Sequence, residues 1–200
     1  MGDEDKGKPL VVIWGLGFPD RGYNIQNIGI DKVISFLKND PQYGGCTMML
    51  GVPTYFRDLI MDTNPDPFLH EQIASADIAW CAAKHVHYTP CVCPGFSWNN
   101  MHKNGCPPIP PLNQIPRQKG VFYWSQISGA LNAKAQMLYV TMSDEMDERT
   151  AIMKCDNHLP AGVQLCDYEG MPTDHYLWLT GQAAKMLRGE IALSWQMPTR

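Results

Sequence analysis

The sequence predicts an α/β fold in which helices cover a parallel sheet. Short, continuous apolar runs alternate along the chain with segments whose apolar residues recur at helical spacing. Glycine, proline, acidic and aromatic residues follow the apolar runs, where parallel α/β folds place their functional loops. Periodicity alone leaves a doubly wound sheet and a β/α barrel open.

The first elements form a strand–helix–strand unit. The apolar run over residues 10–14 is followed by glycines, as is typical of a buried strand. Apolar residues at i, i+3, i+4 and i+7 then predict a helix over residues 30–37. The run over residues 47–50, closed by Gly51 and a proline, predicts the second strand.

The middle of the chain predicts a helix, a strand and a long loop. Asp66 as N-cap and Pro67 at the first helical position mark the start of the helix. We interpret residues 77–79 as a strand remnant and 87–93 as a further strand. The stretch 94–116 is rich in proline, glycine and asparagine and predicts a loop.

The C-terminal part continues the alternation. A helix is predicted with its inward face over residues 124–131, and a strand over 136–142. A last helix begins with Thr173 or Asp174 as its cap and ends at residues 188–189, where arginine and glycine stand.

Composition excludes several classes of protein. With 44% hydrophobic residues and a net charge of −4 over 200 residues, the chain is too apolar for a disordered protein. Its 16 Lys+Arg against 20 Asp+Glu give no basic field, so we expect no nucleic-acid partner. No run approaches the roughly 18 apolar residues of a membrane span. Residues 1–8 form a polar tail without the apolar core of a signal peptide, and residues 9–200 are expected to form one domain.

The densest ionisable cluster follows the predicted strand 136–142. It contains four carboxylates in five residues: Asp144, Glu145, Asp147 and Glu148. Neighbouring carboxylates raise one another's pKa values, and glycoside hydrolysis uses such a pair as acid and as base or nucleophile. The alternative is an acidic helix N-terminus favoured by the helix dipole.

Aromatic residues follow the predicted strands. Trp14 closes the first strand, Tyr55 follows the second, and Phe96 and Trp98 follow the third. Aromatic rings beside polar groups match the flat faces of sugars, so these four predict a substrate-binding rim together with Asp144 and Asp147. Core packing is the alternative for each ring.

We expect no metal and no cofactor. The possible metal ligands are His85, His87, Cys91, Cys93, His102 and Cys106. Their spacing matches no structural zinc site. A metal-dependent hydrolase that uses this cluster is the least favoured functional hypothesis. No complete dinucleotide fingerprint and no phosphate-binding P-loop occur.

The segment Tyr139–Glu148, with residues 150–152 after it, resembles the catalytic segment of the glycoside hydrolase family 71/99-like group. Residues 12–18, 49–55, 94–98 and 174–179 resemble uncharacterised members of this group, some of them labelled xylosidase/arabinosidase. The resemblance implies a (β/α)8 barrel of the TIM type. It also implies a glycosidase acting on α-linked carbohydrate, since family 99 members are endo-α-mannosidases.

The motif of the family runs Asn-Glu-Trp-His-Glu-Gly-Thr, and its glutamates fall on Glu145 and Glu148. The resemblance implies that Glu145 takes the proton from the sugar O2, which attacks C1 to give a 1,2-anhydro sugar, and that Glu148 is the acid and then the base. Met146, Asp147 and Arg149 depart from the motif. Arg149 beside Glu148 predicts a lowered pKa, which disfavours a general acid and motivates the alternative of a degenerate, non-catalytic carbohydrate-binding homologue.

A complete β/α barrel needs about 250 residues, and this alternation supplies about four βα units. The resemblance therefore implies that the chain carries the C-terminal half to two-thirds of the barrel. Unpaired parallel edges in a partial barrel predict self-association. The resemblance further implies a secreted or lumenal location if a leader has been removed from the chain.

Overall fold

The computed structural model describes residues 6–16, 29–52, 65–102, 108–162 and 165–200. The chain divides into two compact units, Met1–Asp62 and Thr63–Arg200. The strands are β1 Leu10–Ile13, β2 Thr47–Leu50, β3 Cys91–Val92 and β4 Tyr139–Val140. The helices are α1 Ile30–Asn39, α2 Pro67–Ala82, α3 Asn99–His102, α4 Val121–Asn132 and α5 His175–Leu187, with a 3₁₀ turn over Gln118–Gly120 before α4.

The first unit confirms the predicted strand–helix–strand arrangement. Strands β1 and β2 pair in parallel, with Leu10 opposite Thr47 and Ile13 opposite Leu50. A parallel pair needs a crossover connection, and α1 lies in that connection. Beyond the paired residues, the Gly51 N–H donates to the Ile13 carbonyl at 2.8 Å.

Helix α2 begins as predicted and extends further than predicted. The Asp66 carboxylate accepts the Phe68 N–H at 3.0 Å, and Pro67 occupies the first helical turn. The strand remnant expected at residues 77–79 is wrong, because the helix continues to Ala82. The segment is rich in alanine and contains no glycine or proline that would interrupt the helix.

Helices α2 and α4 pack closely at Gly129. A Cβ atom at this position would lie 2.6 Å from the His70 Cβ and 2.7 Å from the backbone nitrogen of Glu71. The missing side chain therefore permits the close approach of the two helices.

Strands β3 and β4 pair in parallel, with Val92 opposite Val140. Both are shorter than the predicted strands 87–93 and 136–142. Proline at positions 90 and 94 has no N–H to donate to a ladder. On the other strand, the Met142 N–H turns away to donate to Thr150.

The core of the second unit lies between α4, α5 and the paired strands. Its buried members are Val92, Tyr123, Trp124, Ile127, Leu131, Ile152, Tyr168, Tyr176, Leu179, Ala183 and Met186. Helix α5 ends as predicted, before Gly189 at φ 71°. Asp174 occupies its N-cap position, but the carboxylate binds Arg200 at 2.7 Å and does not cap the helix.

Strand pairing is parallel in both units, as the alternation of strands and helices predicts. Within the described ranges, the four strands form two separate pairs and no closed barrel. Helix α3 interrupts the stretch 94–116, which was expected to be a loop throughout. None of the described helices has the length and apolar character that a membrane crossing requires.

Candidate active site

The four clustered carboxylates lie on a closed loop that follows β4. We call residues 142–152 the acid loop. Its two ends bind each other, since the Met142 N–H donates to the Thr150 carbonyl at 3.0 Å and the Ile152 N–H donates to the Met142 carbonyl at 3.1 Å. This closure fixes the backbone that carries the two glutamates.

The backbone of each candidate glutamate is held by hydrogen bonds. The Glu145 carbonyl accepts the N–H groups of Thr150 at 3.2 Å and Ala151 at 3.1 Å. The Glu148 carbonyl accepts the N–H of Ser97, a buried residue of the segment after β3, at 2.8 Å. The segments that follow two paired strands therefore meet at Glu148, as a parallel sheet arranges them.

Glu145 and Glu148 are both half-buried, and the carboxyl of Glu145 is close enough to affect the pKa of Glu148. The pKa of Glu148 rises from its ordinary 4.5 to about 7. Burial is the main cause, followed by the negative charge of Glu145, the hydrogen bond between the two carboxyls and the charge of Asp147. Glu148 therefore exchanges its proton near neutral pH, whereas an ordinary glutamate is ionised there.

Arg149 does not have the effect that its position in the sequence predicts. Its guanidinium is buried and binds the Glu169 carboxylate at 2.8 Å. The expected lowering of the Glu148 pKa is wrong, because the arginine is paired elsewhere and the pKa is raised. Arg149 has φ 62°, a left-handed conformation that glycine, the residue of the motif at this position, adopts without cost.

Asp144 and Asp147 both lie exposed on the acid loop. Asp147 is one of the groups that raise the pKa of Glu148, and its carbonyl lies 3.5 Å from the Asn100 side-chain nitrogen. Asp144 is not among those groups. Substrate binding by either carboxylate stays a prediction.

Phe96 and Trp98 lie in the segment that follows β3. Their rings stack at 5.5 Å, and the backbone of Phe96 pairs with Ile115. The Trp98 indole N–H donates to His102 at 2.9 Å. The two rings are half-buried, next to the residue that binds the Glu148 backbone.

Trp14 lies in the first unit, 49% exposed, with its ring on Gly51. A Cβ on Gly51 would lie 2.0 Å from the Trp14 ring, so the glycine makes this contact possible. Tyr55 lies outside the described residues.

Two of the residues considered as metal ligands bind other side chains. His102 binds Trp98, and Cys91 shares a hydrogen bond with Thr141. Across the described ranges no three His, Cys, Asp or Glu side chains are grouped so that they could hold a metal ion. Cys106 lies outside the described residues.

Two cavities, of about 290 and 250 Å³, are formed largely by the C-terminal residues 191–200. Trp124 and Met186 line one, and His175 and Trp178 line the other. Neither Glu145 nor Glu148 lines either cavity. The two glutamates lie on a surface loop and not in these cavities.

Three residues that contact the acid loop were not predicted from the sequence. They are Ser97, Arg117 and Glu169. Arg117 and Glu169 lie outside any recognisable sequence pattern, and Ser97 lies between the two aromatic residues Phe96 and Trp98, which drew attention in its place. Their roles depend on the folded chain, and no sequence signal indicates them.

Solved structures that resemble the described fold include two of the same enzyme. Both are of a GH99 endo-alpha-mannosidase from Bacteroides thetaiotaomicron, one of them in complex with BIS-TRIS-propane. The TM-scores are 0.51 and 0.50, at 19% and 21% sequence identity. The similarity is one of fold.

The matches cover 62% and 60% of this chain, but only 37% and 34% of the solved enzyme chains. This chain therefore spans about a third of the proteins that it resembles. No protein-family model and no curated protein matches the sequence. The fold resembles that of family 99 enzymes, and the xylosidase/arabinosidase label gains no support from these neighbours.

Proposed function

We propose that this chain is part of a glycoside hydrolase that cleaves α-linked carbohydrate with Glu145 and Glu148. The observation that carries the proposal is the pair of half-buried glutamates on the closed loop after β4, where burial and the neighbouring Glu145 raise the Glu148 pKa to about 7. A carboxylic acid beside a carboxylate is the machinery of glycoside hydrolysis. The fold similarity to a GH99 endo-alpha-mannosidase supports the same reaction class and an α-mannoside as the first substrate to test.

The similarity also supports a partial β/α barrel. The chain matches about a third of each neighbour and contributes parallel strand pairs with helical connections. We propose that it corresponds to the C-terminal half to two-thirds of such a barrel.

The proposed reaction has two steps with opposite proton transfers. Glu145 takes the proton of the sugar O2, O2 attacks C1, the bond from C1 to the leaving oxygen breaks, and Glu148 gives its proton to that oxygen. Water then attacks C1, the bond from C1 to O2 breaks, Glu148 takes a proton from the water, and O2 recovers its proton from Glu145. The raised pKa of Glu148 suits a group that must first give and then take a proton.

A hydrolysis screen on α-mannosides, xylosides and arabinosides tests the proposal. We expect turnover of an α-mannoside that falls by about 100-fold or more in Glu148→Gln and in Glu145→Gln. Glu190→Gln is the matched control, because it removes an exposed carboxylate that pairs with Arg188 after α5. Unchanged turnover in Glu148→Gln would show that Glu148 is not the acid.

A second candidate is carbohydrate binding without turnover. The observation that favours it is the position of both glutamates outside the two described cavities. Calorimetry with the same sugars distinguishes the two candidates. Binding heat in the absence of any product supports the second and contradicts the first.

A further inference from the structure

The turn that directly follows Glu148 is held in an unusual conformation. Arg149 has φ 62°, in the left-handed region that residues with a Cβ rarely adopt. The surrounding structure must supply the interactions that maintain such a conformation. Two groups outside the acid loop supply them.

The first group is Glu169. Its Oε1 accepts the Arg149 Nη2 at 2.8 Å, and the Arg149 side chain is 4% exposed. The other carboxylate oxygen accepts the Lys119 N–H just before α4. Glu169 therefore fixes the Arg149 side chain and is itself fixed to the helix that forms the core.

The second group is the buried guanidinium of Arg117. Its Nη2 donates to the carbonyls of Arg149 at 2.8 Å and Ala151 at 2.9 Å. The guanidinium carbon lies 4.7 Å from the Tyr168 ring centre and 4.4 Å from that of Tyr176. Among the residues that the structure describes, no carboxylate pairs with Arg117. The two tyrosine rings and the two carbonyls therefore stabilise its positive charge.

We propose that Arg117, Arg149 and Glu169 are positioning residues that hold the turn after Glu148 and so keep the Glu148 carboxyl against that of Glu145. Arg117 fixes the backbone of the turn on both sides of Thr150, and Glu169 fixes the Arg149 side chain. The catalytic meaning of this arrangement rests on the proposed function, but the arrangement itself can be measured without turnover.

The test is a titration of the Glu148 carboxyl by ¹³C NMR in the full chain, with Glu148→Gln to assign its signal. The wild-type midpoint is expected at about 7. Glu169→Gln removes the partner of a buried arginine, so the turn relaxes and the midpoint falls by about one pH unit or more. Glu190→Gln, which breaks an exposed arginine–glutamate pair, is the matched control and leaves the midpoint unchanged.

A double variant separates positioning from general destabilisation. In Arg149→Gly/Glu169→Gln, glycine adopts the left-handed conformation freely and the Arg149 charge, which Glu169→Gln alone would leave buried without its carboxylate, is removed. We expect the midpoint to return to within about 0.5 pH unit of the wild-type value. If Glu169→Gln alone does not fold, the Glu148 midpoint in the double variant still tests the positioning proposal.

A midpoint that is unchanged in folded Glu169→Gln, or that stays lowered in the double variant, overturns the positioning proposal. If the variants show the expected midpoint shifts but the wild-type chain hydrolyses no glycoside, the proposed function is contradicted and the positioning proposal is not. The two proposals therefore fail through different measurements.

Discussion

The backbone N–H of Ser97 donates to the carbonyl of Glu148 at 2.8 Å, so the segment after β3 holds the loop after β4. Ser97 is 1% exposed and forms part of the chain between Phe96 and Trp98. Phe96 and Trp98, which are about 50 residues from Glu148 in the sequence, therefore flank the residue that binds its backbone in the fold.

The stability of the fold is expected to depend on pH through Glu148. Its pKa is 4.5 when unperturbed and about 7 in the fold, so the folded chain binds the proton more tightly than the unfolded chain. The unfolding free energy therefore falls as the pH rises from 4.5 to 7. Thermal melts across this window should show a steeper decline in Tm for the wild type than for Glu148→Gln. Parallel declines in the two proteins would contradict the raised pKa.

The two exposed aspartates of the acid loop are expected to differ in their effect on the pKa of Glu148. Asp147 is one of the charges that raise the pKa of Glu148, and Asp144 is not. Asp147→Asn should lower the Glu148 midpoint in a carboxyl NMR titration, whereas Asp144→Asn should leave it in place. The shift from Asp147→Asn should be smaller than that from Glu145→Gln, because Glu145 contributes both charge and a hydrogen bond. Equal shifts in the two aspartate variants would show that the distinction between them is wrong.

Gly129 is expected to be essential for the contact between α2 and α4. An added methyl group would meet the His70 Cβ at 2.6 Å and backbone atoms at 2.7 and 2.8 Å. Gly129→Ala should destabilise the fold by about 1–3 kcal/mol in urea unfolding. Gly181→Ala in α5 is the control, since a Cβ there has no atom within 4 Å. That variant should gain about 0.5–1 kcal/mol from helix propensity, and a gain of the same size at Gly129 would contradict the close packing.

The strand β1 is expected to promote self-association. Leu10 is 48% exposed and Val12 is 50% exposed in the first unit. An exposed apolar strand is a template for pairing with another chain. Light scattering should show association of the wild type that decreases in Leu10→Ser/Val12→Ser. A monodisperse monomer at all concentrations would rule out this role of β1.

The sequence predicted the helices better than the strands. Helices α1, α4 and α5 have apolar residues at regular spacing, and α2 has the Asp66–Pro67 start signal, so local information located all four. Residues 77–79 were misinterpreted because a short apolar run has the same pattern in a strand and in a buried helix. The length of a strand depends on the strand that pairs with it. The ladder of β3 and β4 ends where the Met142 N–H donates to the Thr150 carbonyl.

The candidate site was predicted in part. Position after a strand and the density of charge indicated the cluster of four carboxylates, and the family resemblance selected Glu145 and Glu148 within it; their catalytic roles stay a prediction. The direction of the Arg149 side chain was not predictable, because it depends on Glu169, 20 residues further along the chain. Arg117 was missed for the same reason: its partners are backbone carbonyls, which leave no trace in the sequence.

The pH dependence of kcat/KM for α-mannoside hydrolysis tests the central claim most directly. If Glu148 is the acid, kcat/KM falls as the pH rises through about 7, because the group then loses its proton. In Glu148→Gln the rate should be low and this decline should be absent. If Glu148→Gln kept the wild-type kcat/KM and the same decline of kcat/KM near pH 7, Glu148 would not be the acid.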